Sequence, residues 1–132
     1  MTLELGVAAI AAKRAPHDEA DALHALLDAA GEAAPSDYRR IDRQLHVMLA
    51  TLTRNPQMIV STLRNQNAIA DIVAAVNRVD EVGHAPGAGH RQLVDAICAG
   101  EVERSVQLMC DHVTATTDAI AAHLARNAPQ GA

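Results

Sequence analysis

The stretch IDRQLHVMLATLTRNPQM, residues 41–58, decides the fold. Ile41, Leu45, Met48, Leu49 and Leu52 recur at three- and four-residue spacing, the period of one helix face. Asn55-Pro56 then combines a helix N-cap with a proline at the first helical position, so one helix stops and another starts. Asp42 and His46 stand one turn apart beside the apolar stripe. A core-facing helix that carries a carboxylate and an imidazole on one side requires an explanation.

Working outward, the same period continues in both directions. A first helix is expected from about residue 2 to 15, ending before Pro16. A second begins near Asp18 and carries Leu23, Leu26, Leu27 and Ala30, with Gly31 placed as a C-cap. GEAAPS is a short loop, and Ser36 is the expected N-cap of the third helix. After Pro56 a long fourth helix runs through Ile59, Leu63, Ala70, Val73 and Val76 to about Val82. GHAPGAG breaks it. The fifth helix carries His90, Leu93, Val94 and Ile97, and Gly100 ends it. The sixth spans Glu101 to about Arg126, with Val102, Val106, Met109, Val113 and Ile120 inward. No segment shows the sustained alternation of a strand. The expected fold is all-α, an antiparallel bundle of six helices.

Composition agrees. The chain has 132 residues, 49% of them apolar, yet only 1% aromatic, so its core must be built from Ala, Leu, Val and Ile. That length suits one domain, here residues 1–126 followed by a frayed tail at 127–132. A net charge of −5 with scattered arginines opposes nucleic-acid binding by this chain alone, because phosphate contacts need a positive footprint. Cys98 and Cys110 form no CxxC pair and read as reduced thiols of a cytoplasmic protein. The start MTLELGVAAIAAKRAP lacks the basic leader of a signal peptide, and no apolar run is long enough to span a bilayer.

The chain contains seven histidines. His17, His24 and His84 fall in loops or on polar helix faces. His90 occupies the first slot of an apolar pattern and so points at the core. His112 borders the stripe of the last helix, and His123 shares its face three turns on. Together with Asp42 and His46, these residues bring one carboxylate and several imidazoles from three helices toward the interior. An unpaired buried carboxylate is costly, and a divalent metal would resolve that cost by taking carboxylate oxygen and neutral imidazole nitrogen directly. The spacing by itself also fits a plain hydrogen-bonded i, i+4 pair that stabilises its helix.

Three pieces of the sequence resemble the FCD domain, the helical effector-binding domain of GntR-family (FadR-type) transcription regulators. LELGVAAIAAKRAP is similar to the first family helix. DRQLH followed by NP is similar to the family element in which Asp precedes His by one turn. HRQLVDAICAGEVERSVQLMCDHV is similar to the paired-histidine signature. The resemblance implies a bundle with a central cavity, a homodimer, and a metal, zinc or nickel, held by Asp42, His46, His90 and His112. It also implies that a small organic acid binds beside that metal. Arg64 and Asn67 on the fourth helix and His123 on the sixth are further candidates for reading this acid. The chain departs from the family at Leu45, where Phe is common, at Gly89, where an acid is common, and in lacking an arginine ahead of Leu3-Glu4. The family's N-terminal winged helix, which contacts DNA, is expected to be absent from this chain. A small helical metalloenzyme and a metal-free helical interaction module are the competing readings. The first would need open metal positions and a general base.

Overall fold

The computed structural model describes residues 2–32, 35–76 and 88–126. They form α1 (Thr2–Arg14), α2 (Ala20–Glu32), α3 (Pro35–Leu52), α4 (Pro56–Val76), α5 (Ala88–Cys98) and α6 (Val102–Arg126). No strand occurs among the described residues, so the fold is an all-α bundle as expected.

The helix ends follow from local chemistry. At the α3–α4 junction Arg54 adopts a left-handed φ of 54°, which ends α3. Asn55 Oδ1 then accepts hydrogen bonds from the amides of Gln57 at 3.0 Å and Met58 at 3.3 Å. These are orphan donors of the first turn of α4, and Pro56 has no donor to leave unsatisfied. Thr53, buried behind the turn, donates to Ala50 O and accepts from the Asn55 amide. At the end of α5, Gly100 has φ 74°, its amide donates to Ile97 O, and the Glu101 amide donates to Ala96 O. This pair of bonds is a Schellman cap, and it needs a residue that tolerates the left-handed region.

Two boundaries differ from the sequence reading. Helix α2 continues through Gly31 to Glu32, and α3 already includes Pro35, so Ser36 lies within its first turn and does not cap it. A proline supplies the preset φ that a helix start needs, which is why the helix opens two residues earlier. The stretch 77–82 expected at the end of α4, His84 and most of the GHAPGAG break, and the tail 127–132 lie outside the described residues.

The core explains how so few aromatics suffice. Helix α1 is central, with α3, α4, α5 and α6 all packed against it. Its Ala8, Ala11 and Ala12 are fully buried. Small side chains let helix axes approach closely, so no bulky ring is needed to fill the gap. Around them pack Leu23 and Leu27 of α2, Leu45 and Leu49 of α3, Leu93, Val94 and Ile97 of α5, and Met109 of α6. Val102, Val106, Val113 and Ile120 are only partly buried, and among the described side chains of α6 the buried ones are Ser105, Met109 and Thr116. The inward face of α6 is therefore more polar than its valine pattern suggested. On the outside, His24 binds α2 to α5 through Asp95 at 2.9 Å, beside an Arg91–Asp28 ion pair at 3.0 Å.

Candidate metal centre and effector cavity

The spacing in α3 places Asp42 and His46 on one side of that helix, next to the buried Ile41, Leu45 and Leu49. Both side chains are buried: Asp42 is 4% exposed and His46 6%. His90 enters from the first turn of α5 at 3% exposure, and His112 from the middle of α6. The four residues converge. His90 Nε2 lies 2.7 Å from Asp42 Oδ1, His46 Nε2 3.5 Å and His112 Nε2 3.6 Å. His112 Nε2 is also 3.0 Å from His46 Nε2 and 3.3 Å from His90 Nε2. One ligand atom from each residue falls within 4.8 Å of all the others.

The donor set tests whether a cation fits. A neutral imidazole that carries its proton on Nδ1 presents a lone pair at Nε2, and an ionised carboxylate only accepts. Atoms of this kind, gathered at a buried site, repel one another unless positive charge lies among them. Asp42 Oδ1 is buried and receives no hydrogen bond of acceptable geometry, even with His90 Nε2 at 2.7 Å. A divalent ion resolves this, because it accepts lone pairs from all four directions. Three nitrogens with one oxygen suit a borderline ion.

The electrostatics point the same way. Burial opposes the charged form of Asp42, but contacts to His112, His46 and His90 outweigh it and hold the carboxyl well below the usual range. For His112, burial pushes the pKa down, and the neighbouring His46 and His90 reinforce that against the pull of Asp42. The arrangement thus favours an ionised oxygen beside a neutral imidazole at His112, the forms in which both groups ligate metal.

A cavity of about 370 Å³ opens onto this centre. Asp42, His46 and His112 form part of its wall, and His90 stands behind them. Arg39, one turn before Asp42 and 3.7 Å from its Oδ2, also lines the space. Glu4 of α1, Asn65 and Gln66 of α4, and Thr116 and Thr117 of α6 supply further polar groups. Ile69, Val113, Ile120 and Leu124 supply the apolar part.

The profile of the FCD domain family matches residues 1–115. The chain is an FCD domain. No curated protein and no solved structure matches it. Such domains are the regulatory, effector-binding part of GntR-family regulators. In this FCD domain no helix among the described residues is long and apolar enough to cross a membrane.

The residues singled out beyond the four donors fare differently. Arg64 and Asn67 are exposed and line no part of the cavity. Asn67 instead accepts a hydrogen bond from Arg43 at 3.0 Å on the outer surface. The inward face of α4 runs through Thr62, Gln66 and Ile69, so the amide that enters the interior is one position earlier than expected. Asn65-Gln66-Asn67 is a polar triplet, and the sparse apolar residues around it leave its phase open to a shift of one residue. His123 lies on α6, but its side chain is outside the described residues. Sequence reasoning missed Arg39, Glu4 and Gln66. The i, i+3 step from Arg39 to Asp42 was a usable signal. A charged residue in the first turn of α1 reads as an ordinary helix-start acid, so nothing local marked Glu4.

Proposed function

We propose that this FCD domain senses a small organic acid through a divalent metal, zinc or nickel, held by Asp42, His46, His90 and His112. The observation that carries the reading is the opening of the four-donor cluster onto a cavity large enough for such an acid. FCD domains often bind metal, and the cluster has the ligand types for it. The bound ion would supply a positive centre for the effector carboxylate. One Asp against a doubly charged ion leaves the site net positive, and the Arg39 guanidinium adds to that field. An anionic effector is the complement of this charge.

The chain's own residues orient what enters. His90 and Asp42 fix the floor through their 2.7 Å contact, and Thr116 Oγ1 donates to His112 O at 3.2 Å, tying that histidine to its helix turn. The apolar side chains of Val113, Ile120 and Ile69 exclude water from the body of the acid. Occupancy would favour one arrangement of α3, α5 and α6, the three helices that share the centre. In a homodimeric regulator that shift would reach DNA through an N-terminal winged helix. The chain acts as a sensor and not as an enzyme, because four protein ligands leave little room for a reacting group.

The test is elemental analysis of untagged protein purified without chelator or added metal, followed by titration with a panel of small carboxylates. About one zinc or nickel per chain, with acid binding that disappears on chelation, is the expected result. A protein that holds no metal and takes none up overturns the reading.

A further inference from the structure

On the outer side of the bundle, α2 and α5 meet along a seam that carries two charged contacts. His24 of α2 reaches Asp95 of α5, and Asp28 of α2 reaches Arg91 of α5. The histidine has an acceptor on each side of its ring. Its Nδ1 lies 2.7 Å from Ala20 O, and its Nε2 lies 2.9 Å from Asp95 Oδ1. A carbonyl oxygen has no proton to give, so Nδ1 must donate. An ionised carboxylate has none either, so Nε2 must donate as well. A neutral imidazole has one N–H, and only the doubly protonated ring serves both acceptors. In the neutral form one ring nitrogen sets its lone pair against an oxygen. The pKa of His24 is accordingly raised above its ordinary 6.5, by the Asp95 bond first and the Ala20 bond second, against burial and the charge of Arg91. The groups around the ring are Arg91, Asp95 and Cys98 on α5, Asp21 and Asp28 one turn to either side on α2, and Glu19 just ahead of that helix. Burial, Asp95 and Glu19 push the Cys98 thiol up, so it stays neutral. On the α3 side, Arg43 lies with Ala22, Ala25 and Leu26 along another face of α2 and binds Asn67.

We propose that His24 and Asp95 form a proton-operated clasp between α2 and α5, closed when the ring carries both protons and open when it loses one, so that ambient pH sets how firmly α5 is seated. Helix α5 carries His90 in its first turn, and Leu93, Val94 and Ile97 bury its inner face. The Arg91–Asp28 pair is a second tie that this proton does not touch, so opening loosens the seam and does not unfold it. His24 is 37% exposed and Asp95 60%, so water screens the pair and the effect is modest. Linkage fixes the direction. A pKa raised by folding makes the clasp contribute fully below 6.5, and the contribution fades as pH rises through the folded value. The inference needs neither the metal nor the acid of the reading above.

The test is an NMR titration of the histidine rings in the chain as purified, from pH 5 to pH 9, together with amide hydrogen exchange along α5. His24 should titrate above 6.5 in the wild type and move down towards that value in Asp95→Asn. Protection factors remove the intrinsic pH dependence of exchange. The ratio of wild type to His24→Gln cancels what the two chains share, including the opposite contribution of His112. Over residues 93–98 that ratio should be about two- to fivefold at pH 5.5, the weight of one exposed ion pair, and about one at pH 9. Both side chains sit at the surface, so both variants should fold, and the amide spectrum checks it. The wild-type titration needs no variant. A His24 that titrates at or below 6.5 in the wild type overturns the clasp. So does a titration unmoved by Asp95→Asn, or an exchange ratio that is the same at both pH values. None of these readouts passes through the metal centre, so a chain that takes up no zinc overturns the sensing reading and leaves the clasp standing.

Discussion

Asp42→Asn is the sharpest perturbation of the centre, because it keeps shape and removes only charge. The side chain is 4% exposed, so solvent cannot screen the change. Without the carboxylate, three imidazoles remain, and an amide oxygen is a weak partner for a borderline ion. In the native chain, metal at about one hundred times its dissociation constant should add about 2.7 kcal/mol of stability by mass action. Unfolding entropy of about 2.1 cal/mol/K per residue, over 132 residues, gives about 0.28 kcal/mol/K. The melting temperature should therefore rise by about 10 °C on zinc addition. Differential scanning calorimetry with and without zinc measures this. In Asp42→Asn the increment should fall to a few degrees or vanish at the same zinc concentration. The metal-free variant should also melt lower than metal-free wild type at neutral pH, because the histidine contacts that favour the ionised carboxylate are lost. A variant that keeps the full zinc increment would refute the assignment of Asp42 Oδ1 as a ligand and, with it, the explanation of its unsatisfied burial.

Three further outcomes are expected. In the metal-free protein, His112 titrates below its ordinary value of 6.5 in the fold, so the unfolded chain binds more protons as pH falls through that value; stability should rise with pH up to about 6.5 and level off above it. The depressed carboxyl of Asp42 acts in the same direction at lower pH, where its contribution is present above 3.8 and lost as the medium becomes more acidic; urea unfolding across pH 3–7 reads both effects. Gly100→Ala places a side chain at φ 74° and should cost about 1 kcal/mol or slightly more, seen as a lower urea midpoint at unchanged slope. Asn55→Ala removes the oxygen that caps α4 and should cost about 1 kcal/mol, read as a drop of about 4 °C in melting temperature with zinc uptake intact.

Local rules made much of the fold legible. The apolar period of Ile41, Leu45, Leu49 and Leu52 placed α3, and all four are buried. Asn55-Pro56 and Gly100 marked helix ends because their backbone needs are met within a few residues. Where the signal was thin, the reading shifted by a residue. Asn67 was expected inside, and Gln66 is there instead. The apolar residues of α4 are too few around 65–67 to set the phase, so the helices packed against it decide which amide is buried.

The sequence by itself determined which residues could share a face. Helical periodicity is a property of the chain alone, and it put Asp42 beside His46, His90 in the core stripe of α5, and His112 at the edge of that of α6. Tertiary structure decided that these faces meet at one point, within 4.8 Å, since no local rule sets how three helices cross. It also decided that Glu4 and Gln66 look into the same cavity as the histidines. The helical period places a side chain on a face; what that face meets depends on the packing of helices distant in sequence.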